Sequence, residues 1–345
     1  MPVETAPDRG WDAAHRALLV AVVGPSGAVG RELLQLLVEA GHPREGIACH
    51  GRVESALAIG AGLRFDVLPL ERLTSADLAF LCTPSEVSAE LAPKFAEAGM
   101  RVVDLSSAFR MDPRIPLVIP EINGALLERA PRIVANPNCT TAVAALPLAA
   151  LDRAARLEEA IVVSYQAASG AGRAGLGTLE TELREDVGLE PGPHGEASPF
   201  PARLSKNVIP GVAEPDDAGV TGEERKIELE LRKILDRPDL VVEATTARVP
   251  VERCHSVAVH ARFARPLSPA EARERLRAAP GVVLVDDPHG PRPRECAGSD
   301  PIHVGRVRAG ARGDRSLCFF AVGDQLRKGA ALNALQVAAR LPARG

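Results

Sequence analysis

The residue in this chain best suited to covalent chemistry is a cysteine at the start of a helix. Asn136-Pro137-Asn138-Cys139-Thr140-Thr141 leads into Thr140–Leu151, an apolar run with a helical pattern. At a helix N-terminus the open N–H groups and the dipole stabilise a thiolate. A thiolate can attack a carbonyl and leave a thioester. The same residue types also suit a small cysteine buried inertly at a helix start, so both readings stand at this point.

A second chemical signal lies near the N-terminus. Gly24-Pro25-Ser26-Gly27-Ala28-Val29-Gly30 follows the apolar run Ala17–Val23 and opens the helical stretch Arg31–Ala40. Glycines there allow a tight turn and a close approach of backbone N–H groups to a diphosphate, with the helix dipole behind them. The spacing is GxxGxxG rather than the commoner GxGxxG. The pattern favours a dinucleotide over an ordinary strand–turn–helix junction. No acidic residue ends the next strand-like segment, Ile47–His50, where NAD specificity requires one. Arg52 stands just beyond it. An arginine there pairs with the 2′-phosphate of NADP or is simply a solvated surface residue.

The elements that must position these residues alternate. Asp77–Cys82 and Arg101–Leu105 are strand-like, and Val87–Ala98 is helical between them. Strands alternating with helices predict βαβ units and a parallel sheet. After Pro137 the character changes. Ile161–Gln166 is strand-like and runs into the small-residue stretch Ala167–Gly177. Residues 188–222 are rich in Pro and Gly and read as a long ordered loop or an oligomer arm. Thr221 caps a helix that runs to Leu235, with Glu223 and Glu224 in its first turn. Val241–Val251 and Ser256–Phe263 read as strands, and Gly329–Leu341 as an Ala-rich closing helix.

Composition bounds the rest. A chain of 345 residues suggests two domains. Apolar residues at 46% and charged residues at 25% are ordinary for a globular protein with a large core. A net charge of -4 gives no argument for nucleic acid or an anionic membrane as a partner. Cys49, Cys82, Cys139, Cys254, Cys296 and Cys318 form no CxxC pair, so neither a metal site nor a disulfide framework is expected. Scattered cysteines, a polar start at residues 1–16 and no long apolar stretch make the cytoplasm the default location.

Several blocks together resemble the aspartate-semialdehyde dehydrogenase family. They are Ser107-Ala-Phe-Arg110-Met-Asp-Pro113, Pro120-Glu-Ile-Asn123, Asn136–Thr140, and Ser164-Tyr-Gln-Ala-Ala-Ser-Gly-Ala-Gly172. Asn207-Val-Ile-Pro210, Arg248-Val-Pro-Val-Glu-Arg-Cys-His255-Ser256 and Leu326-Arg-Lys-Gly-Ala-Ala-Leu-Asn333 complete the set. They occur in the family's order from about residue 18 to the C-terminus. The resemblance implies that Cys139 is the nucleophile, that His255 is its acid–base partner, and that Gln166 orients the acyl group. An unperturbed imidazole titrates near pH ~6.5, which suits proton exchange at neutral pH. Arg248 would hold the substrate carboxylate with its planar fork. Glu223 and Lys226, one turn apart, would lie near the substrate amine and the phosphate. Arg110, Asn138 and Lys226 would make the phosphate site, and Gln325 would stand near the nicotinamide, where the family commonly has Asn. Two further departures are Pro25 in the first turn and Cys254 in place of a usual Gly.

The fold so implied is α/β, similar to that of glyceraldehyde-3-phosphate dehydrogenase. A Rossmann-like NADP-binding domain spans residues 17–138 and is completed by a C-terminal helix at 324–341. An α+β catalytic and dimerisation domain spans 139–323, with a mixed or antiparallel sheet and helices on one face. The implied reaction is the reversible, NADPH-dependent reductive dephosphorylation of L-4-aspartyl phosphate to L-aspartate 4-semialdehyde, feeding lysine, threonine and methionine synthesis. A homodimer or dimer of dimers is implied. The nearest rival is N-acetyl-gamma-glutamyl-phosphate reductase, which typically has Gly where Asn138 precedes Cys139. A catalytically dead scaffold and an acyl-CoA reductase are further alternatives.

Overall fold

Val20–Val23 is apolar at every position and buried at every position. Such a run belongs inside a parallel sheet covered on both faces. The computed structural model describes residues 10–51, 56–59, 63–73, 75–192 and 197–342. The chain divides into two compact units, Met1–Pro137 with Ala330–Gly345, and Asn138–Gly329.

The strands of the first unit are β1 (Val20–Val23), β2 (Ile47–His50), β3 (Ala56–Ile59), β4 (Leu63–Asp66), β5 (Leu78–Leu81), β6 (Arg101–Asp104) and β7 (Ile133–Ala135). Five of them form a parallel sheet in the order β2-β1-β5-β6-β7, and β3 pairs with β4 separately. Its helices are α1 (Ala13–Arg16), α2 (Ala28–Glu39), α3 (Ser85–Glu97) and α4 (Pro120–Asn123). Alternate residues of a strand face opposite ways. Val20, Val22 and Phe80 accordingly join Leu33, Leu37 and the C-terminal residues Leu332 and Leu335 in one core. Ala21, Val23 and Leu81 join Leu91 and Phe95 of α3 in the other. Asn333 fastens the C-terminal helix Leu332–Arg340 by donating to the Val118 carbonyl at 2.9 Å and to the Asn136 side chain at 2.8 Å.

The second unit has helices α5 (Cys139–Ala155), α6 (Gly172–Asp186), α7 (Gly222–Ile234), α8 (Pro269–Arg277) and α9 (Pro293–Cys296). Its strands are β8 (Leu157–Gln166), β9 (Ile209–Pro210), β10 (Val241–Arg248), β11 (His255–Phe263), β12 (Val282–Leu284), β13 (Ile302–Ala309) and β14 (Ser316–Gly323). They form one mixed sheet in the order β12-β13-β14-β11-β8-β10-β9. The apolar helix α5 lies against β8, β11, β13 and β14, and touches α7 and α8. This is the expected fold class, with a Rossmann-like parallel sheet in one unit and a mixed sheet in the other.

Two features depart from the sequence expectation. Helix α6 starts inside the small-residue stretch, where Gly and Ala hide any apolar period. Gly175 is required there, because a Cβ would lie 2.3 Å from the Ala168 carbonyl oxygen. The segment 324–329, expected to begin the closing helix, belongs to the second unit. The Asp324 carboxylate holds it by accepting from Gly298 N at 2.7 Å, Leu326 N at 3.0 Å and Arg253 Nε at 2.5 Å. A π turn at Arg327–Ala331 follows before the helix begins. Among the described residues no helix is long and apolar enough to cross a membrane. No group of three or more His, Cys, Asp or Glu among them could hold a metal ion.

Candidate active site

Asn138 is the cap of α5. Its Oδ1 accepts from Thr140 N at 2.9 Å and Thr141 N at 3.1 Å. Two donors of the first turn are thereby satisfied, and Cys139 becomes the first residue of the helix. The cap is itself gripped by α7. Asn138 Nδ2 donates to Glu223 Oε1 at 2.8 Å, and Asn138 N donates to Glu230 Oε2 at 2.6 Å. Helix α7 has its own cap, in which Thr221 and Glu224 exchange side-chain to backbone bonds. That cap orients the face carrying Glu223 and Glu230, both buried.

Glu223 is the hub. Besides Asn138, its Oε1 accepts from Gln166 Nε2 at 3.2 Å, and its Oε2 lies 3.5 Å from Lys226 Nζ. Gln166 ends β8 beside Arg248, which ends the parallel strand β10. Arg248 is buried and donates through Nη1 to the Ala167 carbonyl at 2.7 Å. Burial pushes its pKa below the ordinary value, while the charges of Cys139 and Glu223 act in the opposite direction. The Phe200 ring lies under the guanidinium, with its centroid 5.7 Å from Cζ.

His255 is fully buried. Its Nδ1 accepts from Ala167 N at 3.1 Å. A ring nitrogen that accepts cannot carry the proton, so the neutral imidazole has its hydrogen on Nε2. Nε2 has no partner among the described residues. Burial, and then the nearby Arg248 charge, lower the pKa to about 3. The sequence expectation of an imidazole near its ordinary value is thus replaced by a neutral Nε2–H donor. One residue serves both side chains, since the Ala167 N–H meets His255 and the Ala167 carbonyl meets Arg248. Gly170 leaves room between them. A Cβ there would lie 2.6 Å from Arg248 Nη1 and 2.9 Å from His255 Cε1. Gly329 does the same behind the thiol, where a Cβ would lie 3.0 Å from Cys139 Cβ.

Gln325 is buried with its amide engaged on both sides. Its Oε1 accepts from Cys254 N at 2.8 Å and its Nε2 donates to Ser169 Oγ. Cys254 has φ 76, a left-handed conformation that explains the Gly commonly found at this place in the family. The structure therefore brings Asn138, Cys139, Gln166, Glu223, Lys226, Arg248 and His255 into one unit. Ala167, Ser169, Gly170 and Glu230 were missed from sequence. Glu230 had a signal, being a carboxylate on the apolar face of α7 beside Ile227 and Leu231.

The remaining expected residues lie in the first unit. Arg110 is buried and donates to the carbonyls of Asn136 at 2.9 Å and Leu105 at 3.2 Å. Gly24 has φ 79, and a Cβ on it would lie 2.3 Å from the Cys82 carbonyl oxygen. A Cβ on Gly30 would lie 2.4 Å from the Gly24 carbonyl oxygen. A Cβ on Gly27 would meet only that oxygen, at 3.7 Å, so this side of the turn is open. No side chain caps α2, whose first turn is Ala28, Val29 and Gly30. Ser26 offers its carbonyl to Arg31 Nε at 3.1 Å. An open glycine turn before an uncapped helix fits a dinucleotide diphosphate. Arg52 lies outside the described residues. His50, at the end of β2, turns its Nδ1 to the Leu68 carbonyl at 2.8 Å.

Comparison with known proteins agrees over most of the chain. Residues 19–130 match the family model "Semialdehyde dehydrogenase, NAD binding domain", and residues 148–328 match "Semialdehyde dehydrogenase, dimerisation domain". The aspartate-semialdehyde dehydrogenase of Streptomyces akiyoshiensis is 40% identical over 330 residues, 92% of this chain and 97% of the relative. That of Aquifex aeolicus is 35% identical over 336 residues, covering 94% and 98%. Among solved structures, aspartate semialdehyde dehydrogenase II of Vibrio cholerae complexed with ASA superposes with a TM-score of 0.87 at 33% identity, covering 94% and 98%.

Proposed function

The chain belongs to the aspartate-semialdehyde dehydrogenase family, and from that premise we propose that it interconverts L-4-aspartyl phosphate and L-aspartate 4-semialdehyde through a thioester on Cys139. The observation that carries this reading is the position of Glu223. It binds the cap of the Cys139 helix, the Gln166 amide and Lys226 at once. The cap of the nucleophile's helix and three of the groups assigned to the substrate, Gln166, Glu223 and Lys226, are therefore joined by direct polar contacts.

In the biosynthetic direction the Cys139 thiolate, favoured by the N-terminus of α5, attacks the acyl carbon and phosphate leaves. Arg248 has Nη1 committed to Ala167 and offers the rest of its fork to the α-carboxylate. Glu223 faces the α-amine and Gln166 steadies the acyl group. Lys226, with Asn138 and Arg110, takes the phosphate. His255 Nε2–H donates a hydrogen bond to the tetrahedral oxygen, a role that needs no change in the charge of the imidazole. NADPH, when bound, supplies the hydride that reduces the thioester. The oxyanion then collapses to the aldehyde and expels the Cys139 thiolate.

Gly24, Ser26, Gly27, Ala28, Val29 and Gly30 would hold the diphosphate, with Gln325 toward the nicotinamide. We assign NADP rather than NAD because β2 ends in His50 with no carboxylate and Arg52 follows it in sequence. The same reading gives a cytoplasmic enzyme of lysine, threonine and methionine synthesis. It acts as a homodimer or dimer of dimers joined through the second unit. The test is steady-state NADP reduction with aspartate semialdehyde, with and without phosphate. Phosphate-dependent NADPH formation is expected. Turnover of N-acetyl-glutamate semialdehyde in its place would transfer the chain to the rival reductase reading.

A further inference from the structure

We propose that Glu230 is a positioning residue for the Cys139 thiol, an inference that rests on reading Cys139 as the nucleophile. In a capping box the backbone N–H of the cap residue is taken by a Glu or Gln at the third helical position. Helix α7 is built this way, with Thr221 N donating to Glu224 Oε2 at 2.9 Å. In α5 the third position is Thr141, whose hydroxyl is turned to Asn138 Oδ1 at 3.4 Å. The acceptor for the cap's N–H comes instead from Glu230, which is 92 residues away in sequence and 2.6 Å away in space.

This has a consequence for geometry. Asn138 is held at two points from one face of α7, its side chain by Glu223 and its backbone by Glu230. Two bonds to one residue fix its orientation as well as its place. The next residue is Cys139, so the direction of its Cα–Cβ bond is set relative to the helix that carries Glu223 and Lys226. Glu223 is assigned to the substrate. Glu230, 1% exposed, bonds the chain beside the thiol. Its loss should misalign attack while leaving substrate binding in place, and small misplacements of a reacting group are costly in rate.

The test is the rapid NADPH burst with aspartate semialdehyde in Glu230→Leu and Glu230→Gln. In Glu230→Leu the burst rate is expected to fall about 10- to 100-fold, with KM within about two-fold of wild type. Glu230→Gln keeps an acceptor oxygen and should recover the burst to within about five-fold of wild type. Alkylation of Cys139 by iodoacetamide needs no such alignment and should keep its pH profile in both. A wild-type burst in Glu230→Leu, a Gln variant no better than Leu, or a shifted alkylation profile would each overturn the proposal. If Glu230→Leu does not fold, Glu230→Gln decides: a slower burst at unchanged KM supports it, and an unchanged burst with raised KM overturns it. A wild type with no burst would instead remove the reading of Cys139, and this proposal with it.

Discussion

Asn138 Nδ2 donates to Glu223 Oε1 at 2.8 Å, tying the cap of the nucleophile's helix to a buried carboxylate on a different helix. The same oxygen accepts from Gln166. Glu223→Ala would leave Asn138 Nδ2 buried without its acceptor, and Gln166 Nε2 with only the longer bond to Ser164 Oγ at 3.4 Å. An unsatisfied buried polar group costs ~1–3 kcal/mol. Glu223→Ala should therefore lower the unfolding free energy by about that amount and raise KM for the semialdehyde. Chemical denaturation and steady-state kinetics check the two parts separately.

Gly170 sets the spacing between Arg248 and His255. A methyl group there collides with Nη1 of one, at 2.6 Å, and with Cε1 of the other, at 2.9 Å. Gly170→Ala should fold, since Gly170 lies on a turn, yet lose at least about tenfold in kcat/KM. Wild-type kcat/KM in this variant would mean that the two side chains are not used in the positions described.

The imidazole of His255 makes stability depend on pH. The unfolded chain takes up its proton near pH 6.5, whereas burial delays uptake in the folded chain to about 3. The unfolded state thus holds more protons between these values, and stability falls as pH drops through that window. At roughly 1.4 kcal/mol per pH unit, this group should remove about 2 kcal/mol between pH 6.5 and 5. Urea unfolding at both pH values should show a smaller loss in His255→Asn. Equal losses in the two proteins would place the proton uptake elsewhere.

Cys254 occupies a left-handed conformation, φ 76, with a side chain packed among Cys296 and Val322. A left-handed residue with a Cβ costs roughly 1–2 kcal/mol that Gly avoids. Cys254→Ala loses packing and keeps the strain, whereas Cys254→Gly loses packing and relieves it. The Gly variant should therefore melt above the Ala variant, although it is the smaller residue. The reverse order would show that packing outweighs backbone strain.

The sequence carried the parts of this site that residue type marks. Thr221 with Glu223 and Glu224 announced the α7 cap, and the apolar run after Cys139 announced α5. The parallel sheet was legible because β1 and β5 are uninterrupted apolar runs. Most of what escaped notice lacks such a mark. Ala167 acts through its backbone N–H and carbonyl, which every non-proline residue possesses. Strand β13 carries Arg306 and Arg308 near an irregularity between Gly305 and Arg308, so its alternation breaks. Glu230 bore a mark, a carboxylate on the apolar face of α7, but the partner that gives it meaning lies far away in sequence. The protonation of His255 depends on burial by elements that the sequence does not place beside it.

In the proposed reaction the acyl group is carried on Cys139. Burial pushes the thiols of Cys49 and Cys82 up to about 12 and that of Cys296 up to about 11, and raises that of Cys254 as well. The most direct measurement is the NADPH burst when enzyme and NADP meet aspartate semialdehyde without phosphate. A burst equal to the number of active sites is expected, with continued turnover only when phosphate is added and no burst in Cys139→Ala. A burst of the same size in folded Cys139→Ala would contradict it.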